Sequence, residues 1–269
     1  MHPLPTRPLI RRRSAIASGL LALTGLWPGL GRAGPSSAFE ARRFPELLAA
    51  LGGRDPVESP LLRLSGPDVA EDGASVPLGI GTALAGVRQL LLLADHNPSA
   101  LIAGFRPGQG VAPDFSLQAK LVESSEVYAL ALLADGQACF ARKSILVVKG
   151  ACGAGASAPL AEPGPDGPAP IRIRAQQLGD RVVVRALVSH AMESGQRQDD
   201  SGSLVPAHFI EQISATHNGA TVLAAEWGPW VARNPILRFE LRGARPGDRI
   251  TLSWRDNRGN SRSDSAVVS

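Results

Sequence analysis

The chain has 269 residues, a formal charge of +4, two cysteines, and 44% hydrophobic but only 4% aromatic content. This composition is typical of a soluble globular protein of one or two domains, and it excludes collagen-like, disulfide-knot and disordered classes. Five of the 28 basic residues lie in the first 33 residues, which contain no acid, so the remaining chain is nearly neutral. Bulk charge therefore gives no reason to expect binding to nucleic acid or to an anionic membrane.

The N-terminal segment has the layout of an export signal. Arg11, Arg12 and Arg13 precede a mildly apolar stretch at residues 15–30, and small residues follow it. That stretch is too short and too weakly apolar for a comfortable bilayer span. The pair Arg12 and Arg13 indicates a twin-arginine signal, with an ordinary secretory signal or a retained anchor as the alternative. We therefore expect residues 1–33 to be an export signal, the mature chain to lie in the periplasm, and no membrane span to remain after signal removal.

A short amphipathic helix is predicted at the start of the mature chain. Phe44, Leu47, Leu48 and Leu51 recur at helical spacing, and the following Gly52-Gly53 is typical of a helix end. Because its apolar residues form one stripe, this helix is expected to pack against the rest of the first domain.

From about Leu61 the apolar period changes to two. The runs 127–133 and 138–148 flank Asp135-Gly136, as in a β-hairpin, and a similar turn is expected at Asn218-Gly219. Such short strands separated by turns favour an all-β protein of the sandwich type, in which one face of each sheet is buried. The alternating runs of the second half are 171–174, 237–242 and 250–254.

The segment 150–170 cannot form a core element. Glycine, proline and alanine make up 16 of its 21 residues, and Leu160 is its only large apolar side chain. The composition therefore predicts two domains of about 100 residues each, joined by this segment.

One reactive residue stands out at the start of this segment. Cys152 has only glycine and alanine within three positions, except for Lys149. Because no bulky neighbour is available to pack against it, we expect the thiol to be exposed on a slim stretch of backbone that a cleft of another protein can accept. This pattern predicts a carrier arm rather than an enzyme pocket.

The second cysteine leaves an alternative open. Cys139 lies in a predicted strand, where a cysteine is more often a small packed hydrophobe. An exported chain with two cysteines often pairs them, so a disulfide between Cys139 and Cys152 is the competing interpretation, and it would favour a structural or docking role.

A weaker candidate for a functional site is a soft-metal site formed by histidine and methionine residues. His190, Met192, His208 and His217 are residue types that bind soft metals such as copper, but they show no compact ligand spacing. The sequence therefore predicts no metal site.

Several stretches of the chain carry a likeness to a known family. In the second half they are Ala186–Gly195, Pro206–Ile210, Trp227–Pro229 and Trp254–Gly259; in the first half they are Glu71–Pro77, Asn97-Pro98, Phe105-Arg106 and Val147–Lys149 with Cys152. On these residues the chain resembles the SoxYZ sulfur-carrier proteins of thiosulfate oxidation, in a single-chain fusion. The second half is similar to SoxZ from Ile171 to about Asp264, and the first half resembles SoxY more loosely.

The resemblance assigns a role to the cysteine. In the family, the cysteine of a Gly-Gly-Cys-Gly-Gly tail is the covalent attachment point for thiosulfate and later sulfur intermediates, and Cys152 is the matching position. The arm would comprise Gly150, Ala151, Gly153, Ala154 and Gly155 around it. Two departures are present: Ala151 and Ala154 replace two of the family's glycines, and a linker and a domain follow the cysteine instead of a free chain end.

The resemblance also implies an architecture and partners. It implies two immunoglobulin-like β-sandwiches packed together: a SoxY-like domain at 39–149, the cysteine-bearing arm and linker at 150–170, and a SoxZ-like domain at 171–269. The protein would be a carrier rather than an enzyme, without a cofactor. Its partners would be a thiosulfate-loading cytochrome, a sulfate-releasing hydrolase and a sulfur dehydrogenase. A carrier or docking protein associated with quinoprotein dehydrogenases, with a different or no sulfur cargo, is the alternative.

Overall fold

The computed structural model describes residues 43–50, 54–151 and 169–269. Within these ranges the chain forms one helix and sixteen strands, so the prediction of an all-β protein with a short N-terminal helix is confirmed. No helix in this described part is long and apolar enough to cross a bilayer. The predicted export signal, with Arg12 and Arg13, lies outside it.

The elements, in chain order, are α1 (Phe44–Ala50), β1 (Arg54–Glu58), β2 (Leu62–Ser65), β3 (Val69–Asp72), β4 (Val76–Thr82), β5 (Val87–Ala94), β6 (Leu101–Pro107), β7 (Val111–Ala119), β8 (Ser125–Leu133), β9 (Gln137–Lys149), β10 (Arg172–Leu178), β11 (Arg181–Leu187), β12 (Ile210–His217), β13 (Ala220–Trp227), β14 (Ile236–Arg242), β15 (Arg249–Asp256) and β16 (Ser261–Val267).

The strands form two sheets that make up the β-sandwich units. The ten-stranded sheet has the order β1-β9-β8-β5-β6-β13-β12-β15-β16, with β3 also paired to β9, and the six-stranded sheet has the order β10-β11-β14-β7-β4-β2. In most strands alternate residues are buried in one apolar cluster, as the period of two predicts, whereas β5 and β6 are buried at consecutive residues. The stacked rings of Phe105 and Phe115 lie in it, with centroids 4.6 Å apart.

The two halves of the chain share both sheets. Strand β6 of the first half pairs antiparallel with β13 of the second, and β7 pairs with β14. A bidentate ion pair between Arg106 and Glu226, 3.1 Å long and partly buried, reinforces the first of these junctions. The halves are therefore joined by continuous backbone hydrogen bonding rather than by side-chain contact alone.

The predicted turns and helix are confirmed. Gly136 ends the three-residue turn between β8 and β9 with φ 89°, and Asn218-Gly219 joins β12 to β13 with φ 48° and 89°, as a two-residue hairpin of type I′ requires. Leu47 of α1 is fully buried against outward-facing leucines of β5 and β8, and Phe44 stacks on Tyr128 with centroids 4.9 Å apart. The helix therefore covers an apolar face of the ten-stranded sheet.

Candidate functional site

Strand β9 ends at Lys149, directly before the first residue of the predicted arm. Its last residues pair in parallel with β3, so that Asp72 lies in register with Lys149. A series of backbone hydrogen bonds then fixes the next residues: Gly73 N–H donates to the Lys149 carbonyl (2.7 Å), Leu121 N–H to the Gly73 carbonyl (2.8 Å), and Ala151 N–H to the Leu121 carbonyl (3.0 Å). The arm therefore begins from a pinned position, which we call the arm root (residues 73, 121–122 and 149–151).

Two glycines permit the close backbone contacts of the arm root. A Cβ on Gly150 would lie 1.9 Å from the carbonyl oxygen of Val122, and a Cβ on Gly73 would lie 2.3 Å from that of Leu121. Real Cβ atoms do not approach backbone oxygen so closely, so neither position accepts a side chain without movement of the backbone. Gly150 thus has a steric function at the arm root besides its predicted place in a slim stretch of backbone.

Asn97 is a buried residue that hydrogen-bonds to the backbone of the arm root and of the residue before it. This residue is only 3% exposed; its Nδ2 donates to the Lys120 carbonyl (2.8 Å), and its Oδ1 accepts from Val122 N–H (3.1 Å). Both hydrogen-bonding functions of the amide are used on the segment that holds Ala151. The motif residues Gly73 and Asn97, which carried the sequence resemblance, therefore meet at the arm root.

Lys120 connects this segment to the second half. Its Nζ donates to the carbonyls of Pro229 (3.0 Å) and Met192, and its backbone N–H donates to the Trp230 carbonyl (2.7 Å). The arm root therefore lies at the junction of the two halves, and both contribute to its surroundings.

A small cleft of about 80 Å³ opens beside Ala151. Its charged lining consists of Lys120, Arg197 and Arg233 against a single acid, Glu193, which pairs with Arg197 at 2.8 Å. The excess of basic groups makes this an electrostatically favourable place for an anion.

Of the predicted arm, the structure describes Gly150 and Ala151. Cys152, Gly153, Ala154 and Gly155 lie outside the described residues. The assignment of Cys152 as the sulfur attachment site therefore stays a prediction.

The geometry of β9 argues against the disulfide that the sequence left open. Cys139 lies near the beginning of this strand, at the opposite end from Lys149. The ten intervening steps of extended chain span about 33 Å, and three further residues can return at most about 11 Å of this, whereas a disulfide needs Cα atoms within about 7 Å. An intramolecular bond between Cys139 and Cys152 would require β9 to come apart.

Cys139 is a packed residue, as the sequence predicts. It is 6% exposed, is not disulfide-bonded, and lies in register with Val57 and Ala131. Burial raises the pKa of its thiol, and the negative charge of Asp135 adds to that rise. A buried thiol with a raised pKa is a poor nucleophile, so Cys139 is unsuited to carry cargo.

Three of the four soft-metal candidates prove to be close together. His190 and His208 pack edge to face with centroids 4.6 Å apart, and Met192 accepts the N–H of Ile210 at its sulfur. The structure adds Asp256, which was not among the ligand candidates from the sequence, and its Oδ2 lies 3.4 Å from His190 Nε2 and 2.8 Å from His208 Nε2. His217 lies elsewhere, paired with Asp248 at 2.8 Å.

The protonation pattern of this group fits a hydrogen-bonded cluster. Met192 N–H donates to His190 Nδ1 (3.1 Å), so the proton of a neutral His190 is on Nε2 and points at the carboxylate. Burial, together with the charge of His208, lowers the pKa of His190 to about 4 and keeps it neutral. Metal binding would have to displace protons from both Nε2 atoms or break the Met192 bond. The cluster therefore ties the loops near residues 190 and 208 to the β15–β16 hairpin.

Asp256 is the centre of this cluster. It is 1% exposed, and burial opposes its charge, but hydrogen bonds from Asn260, His208 and Arg258 N–H outweigh burial and lower its pKa to about 2. The carboxylate is therefore ionised and fully engaged in holding neighbouring segments together.

Sequence reasoning missed Asn97, Lys120 and Asp256 as structural determinants. Asn97 stood inside a resemblance motif, which was a usable signal. Asp256 also stood inside one, the stretch Trp254–Gly259. Lys120 gave no signal, because its side-chain partners Met192 and Pro229 are 72 and 109 residues away along the chain.

Comparison with family models supports the sequence resemblance. Residues 47–152 match the model described as sulfur oxidation protein SoxY, and residues 171–267 match the model described as sulphur oxidation protein SoxZ. No curated protein matches the chain.

Solved structures resemble parts of the chain at low identity. The sulfur carrier protein SoxY from Chlorobium limicola f thiosulfatophilum is 23% identical, with 38% of this chain and 93% of that chain covered and a TM-score of 0.35. A superoxide reductase (neelaredoxin) from Ignicoccus hospitalis is 20% identical, with coverages of 32% and 79% and a TM-score of 0.28. A marsupial T cell receptor is 14% identical, with coverages of 77% and 61% and a TM-score of 0.26.

Proposed function

Because the chain belongs to the SoxYZ family of sulfur-oxidation proteins, with a SoxY and a SoxZ domain in one chain, we propose that it carries thiosulfate-derived sulfur covalently on Cys152. The observation that carries the proposal is that the SoxY match ends on residue 152 itself, directly after a root whose backbone is pinned through Ala151. The other cysteine in the sequence is buried and has a raised pKa.

Loading is an oxidation and needs an electron acceptor. The Cys152 thiol loses its proton to water, and its sulfur bonds to the terminal sulfur of thiosulfate. The two electrons released pass one at a time to the ferric haem of a loading cytochrome, which is reoxidised after each transfer. The product is a cysteine S-thiosulfonate. Since an exposed thiol is only a few per cent ionised at pH 7, we expect the partner enzyme to provide most of the activation.

The surroundings of the arm root are consistent with an anionic cargo. Lys120, Arg197 and Arg233 lie around the cleft that Ala151 lines, and Glu193 is its single acid. The carrier itself supplies no reaction; covalent attachment keeps a small sulfur anion from diffusing away between enzymes. A sulfate-releasing hydrolase and a sulfur dehydrogenase would act on the loaded cysteine in turn.

Mass spectrometry of protein from cells oxidising thiosulfate tests the proposal. We expect a thiosulfonate adduct that maps to Cys152, disappears in Cys152→Ser and persists in the control Cys139→Ala. Undiminished loading in Cys152→Ser would show that the wrong residue has been chosen. Protein that is never loaded in these cells would favour the alternative of a docking protein associated with quinoprotein dehydrogenases.

The same proposal places the protein in the periplasm, exported through Arg12 and Arg13. Replacing both by lysine should leave the precursor in the cytoplasm if the signal is of the twin-arginine type. Fractionation of cells that express this variant and the wild type measures it, and normal export of the variant would contradict this route.

A further inference from the structure

The outward face of the six-stranded sheet carries a concentrated positive charge. Along β10, β11, β14 and β2 the outward residues include seven arginines, and the only outward acids of this sheet are Asp114 and Glu240. The arginines are Arg63, Arg172, Arg174, Arg181, Arg185, Arg238 and Arg242. We call this surface the arginine face. It stands out because the chain beyond residue 33 is nearly neutral.

Three of these arginines lie side by side across the strands. Arg174 is in register with Arg185, and Arg185 with Arg238, so the row crosses three neighbouring strands. Like charges directly opposite each other destabilise a sheet. An arrangement that costs folding stability and has no compensating acid in the row points to an external partner.

The two acids neutralise only part of the face. Asp114 pairs with Arg63 and Arg238, and Glu240 pairs with Arg181 and Arg238. The other four arginines, Arg172, Arg174, Arg185 and Arg242, make no side-chain hydrogen bond or ion pair with any residue in the described ranges. Their guanidinium groups are exposed and can bind a carboxylate through two parallel hydrogen bonds, in bidentate geometry.

From these observations we infer that the arginine face is a docking surface for an acidic protein. Arginine without lysine, interspersed with the apolar side chains of Leu178, Val183, Leu187 and Ile236, is the composition of protein interfaces. The face carries no outward aromatic residue, on which single-stranded nucleic acid would stack, and no lysine or tryptophan of the kind that anchors proteins at membranes.

The arginine face is continuous with the arm root. Ile236 N–H, at the edge of this face, donates to Gln118 Oε1 at 2.8 Å, and Gln118 stands three residues before Leu121, whose carbonyl holds Ala151. Those three residues span about 10 Å. A protein seated on the face would therefore be adjacent to the point where the arm leaves the sheet. Resting on the carrier role proposed above, the inference identifies this protein as an enzyme that loads or unloads the arm, with carboxylates around its arm entrance.

The test compares two charge-matched double variants in the full chain. Arg174→Gln with Arg185→Gln removes two unpaired arginines from the face; Arg249→Gln with Arg255→Gln removes two exposed arginines from β15 in the other sheet. Binding is titrated at low salt with poly-L-glutamate, phosphatidylglycerol vesicles and a DNA duplex. Enzymatic loading is followed in an extract of thiosulfate-grown host cells.

We expect the Arg174/Arg185 variant to lose about three- to tenfold in poly-L-glutamate affinity and in loading rate, with a weaker salt dependence. The Arg249/Arg255 variant should stay within about twofold of the wild type. Wild-type loading by the Arg174/Arg185 variant would overturn the docking surface. The docking surface would also be overturned by a loss of binding confined to vesicles or DNA, or by a loss of self-association measured by light scattering.

A chemical loading reaction separates this inference from the carrier proposal. Tetrathionate loads a thiolate without an enzyme: the cysteine sulfur bonds to one central sulfur, the central S–S bond breaks, and thiosulfate leaves with its electron pair. Equal tetrathionate loading of the wild type and both double variants, with enzymatic loading slowed only in the Arg174/Arg185 variant, supports the docking surface. Failure of tetrathionate to load Cys152 in the wild type would contradict the carrier role, independently of the result for the arginine variants.

Discussion

Gly150 and the carbonyl oxygen of Val122 are so close that a Cβ on Gly150 would lie 1.9 Å from that oxygen. The obstacle is backbone and not the end of a flexible side chain, so relief requires the chain to shift. The shift would act on the Ala151–Leu121 hydrogen bond, which is the last described hydrogen bond before Cys152.

Gly150→Ala should therefore loosen the arm root. We expect faster amide hydrogen exchange at Ala151 and Gly73, and a loss of about 1–3 kcal/mol in the free energy of unfolding. Gly219→Ala is the control, because its Cβ would meet nothing within 4 Å and only the backbone strain of its φ of 89° remains. If exchange at Ala151 is as slow in Gly150→Ala as in this control, the close contact does not hold the root.

Asn97→Ala should destabilise the same region through hydrogen bonding. It leaves the Lys120 carbonyl and the Val122 N–H without their buried partner. We expect a loss of about 2–4 kcal/mol in urea unfolding, since each unsatisfied buried backbone group costs about 1–3 kcal/mol. Asn257→Ala serves as the comparison, because this exposed amide also bonds one backbone carbonyl, that of Ala207, and one backbone N–H, that of Phe209. A loss at Asn97 no larger than at Asn257 would mean that water replaces both bonds.

The sequence predicted the local structure well and the convergence of distant residues poorly. Period-two runs located β8 and β9, Asp135-Gly136 located the turn between them, and Asn218-Gly219 located the turn between β12 and β13, because strand patterning and turn chemistry are local. Nothing local indicated that Asn97 would hold Lys120 and Val122, or that His190 and His208 would meet at Asp256. The arginine face was visible only as an alternation of Arg172 and Arg174 with isoleucines; its cross-strand row needed the register of β10, β11 and β14.

The Cys139 thiol should be unreactive towards thiol reagents in the folded protein. In Cys152→Ser it is the remaining thiol, and its burial and raised pKa both slow attack on a disulfide reagent. We expect a thiol-exchange reagent to label this variant only after denaturant is added, while Cys139→Ala is labelled without it. Rapid labelling of native Cys152→Ser would show that β9 opens near Cys139, and would reopen the question of which cysteine carries sulfur.

Acid should destabilise the protein through the His190–Asp256 cluster. The pKa of His190 is about 4 when folded and about 6.5 in an unfolded chain, so between these values the unfolded state binds more protons and the free energy of unfolding falls as the pH falls. This group accounts for up to about 3 kcal/mol, fully present above pH 6.5 and lost by about pH 4. Asp256, with a pKa of about 2, adds a further loss below about pH 4.

Urea unfolding between pH 7 and pH 4 measures the first part of this loss. His190→Gln should flatten the pH dependence in that interval, because the group that binds the extra proton in the unfolded state is gone. His217→Gln, which removes a partly exposed histidine bonded to Asp248, should retain the dependence of the wild type. The flattening is expected because neutral His190 is held in place by Met192 N–H on one side and the Asp256 carboxylate on the other. A profile for His190→Gln as steep as that of His217→Gln would assign the acid sensitivity to another group.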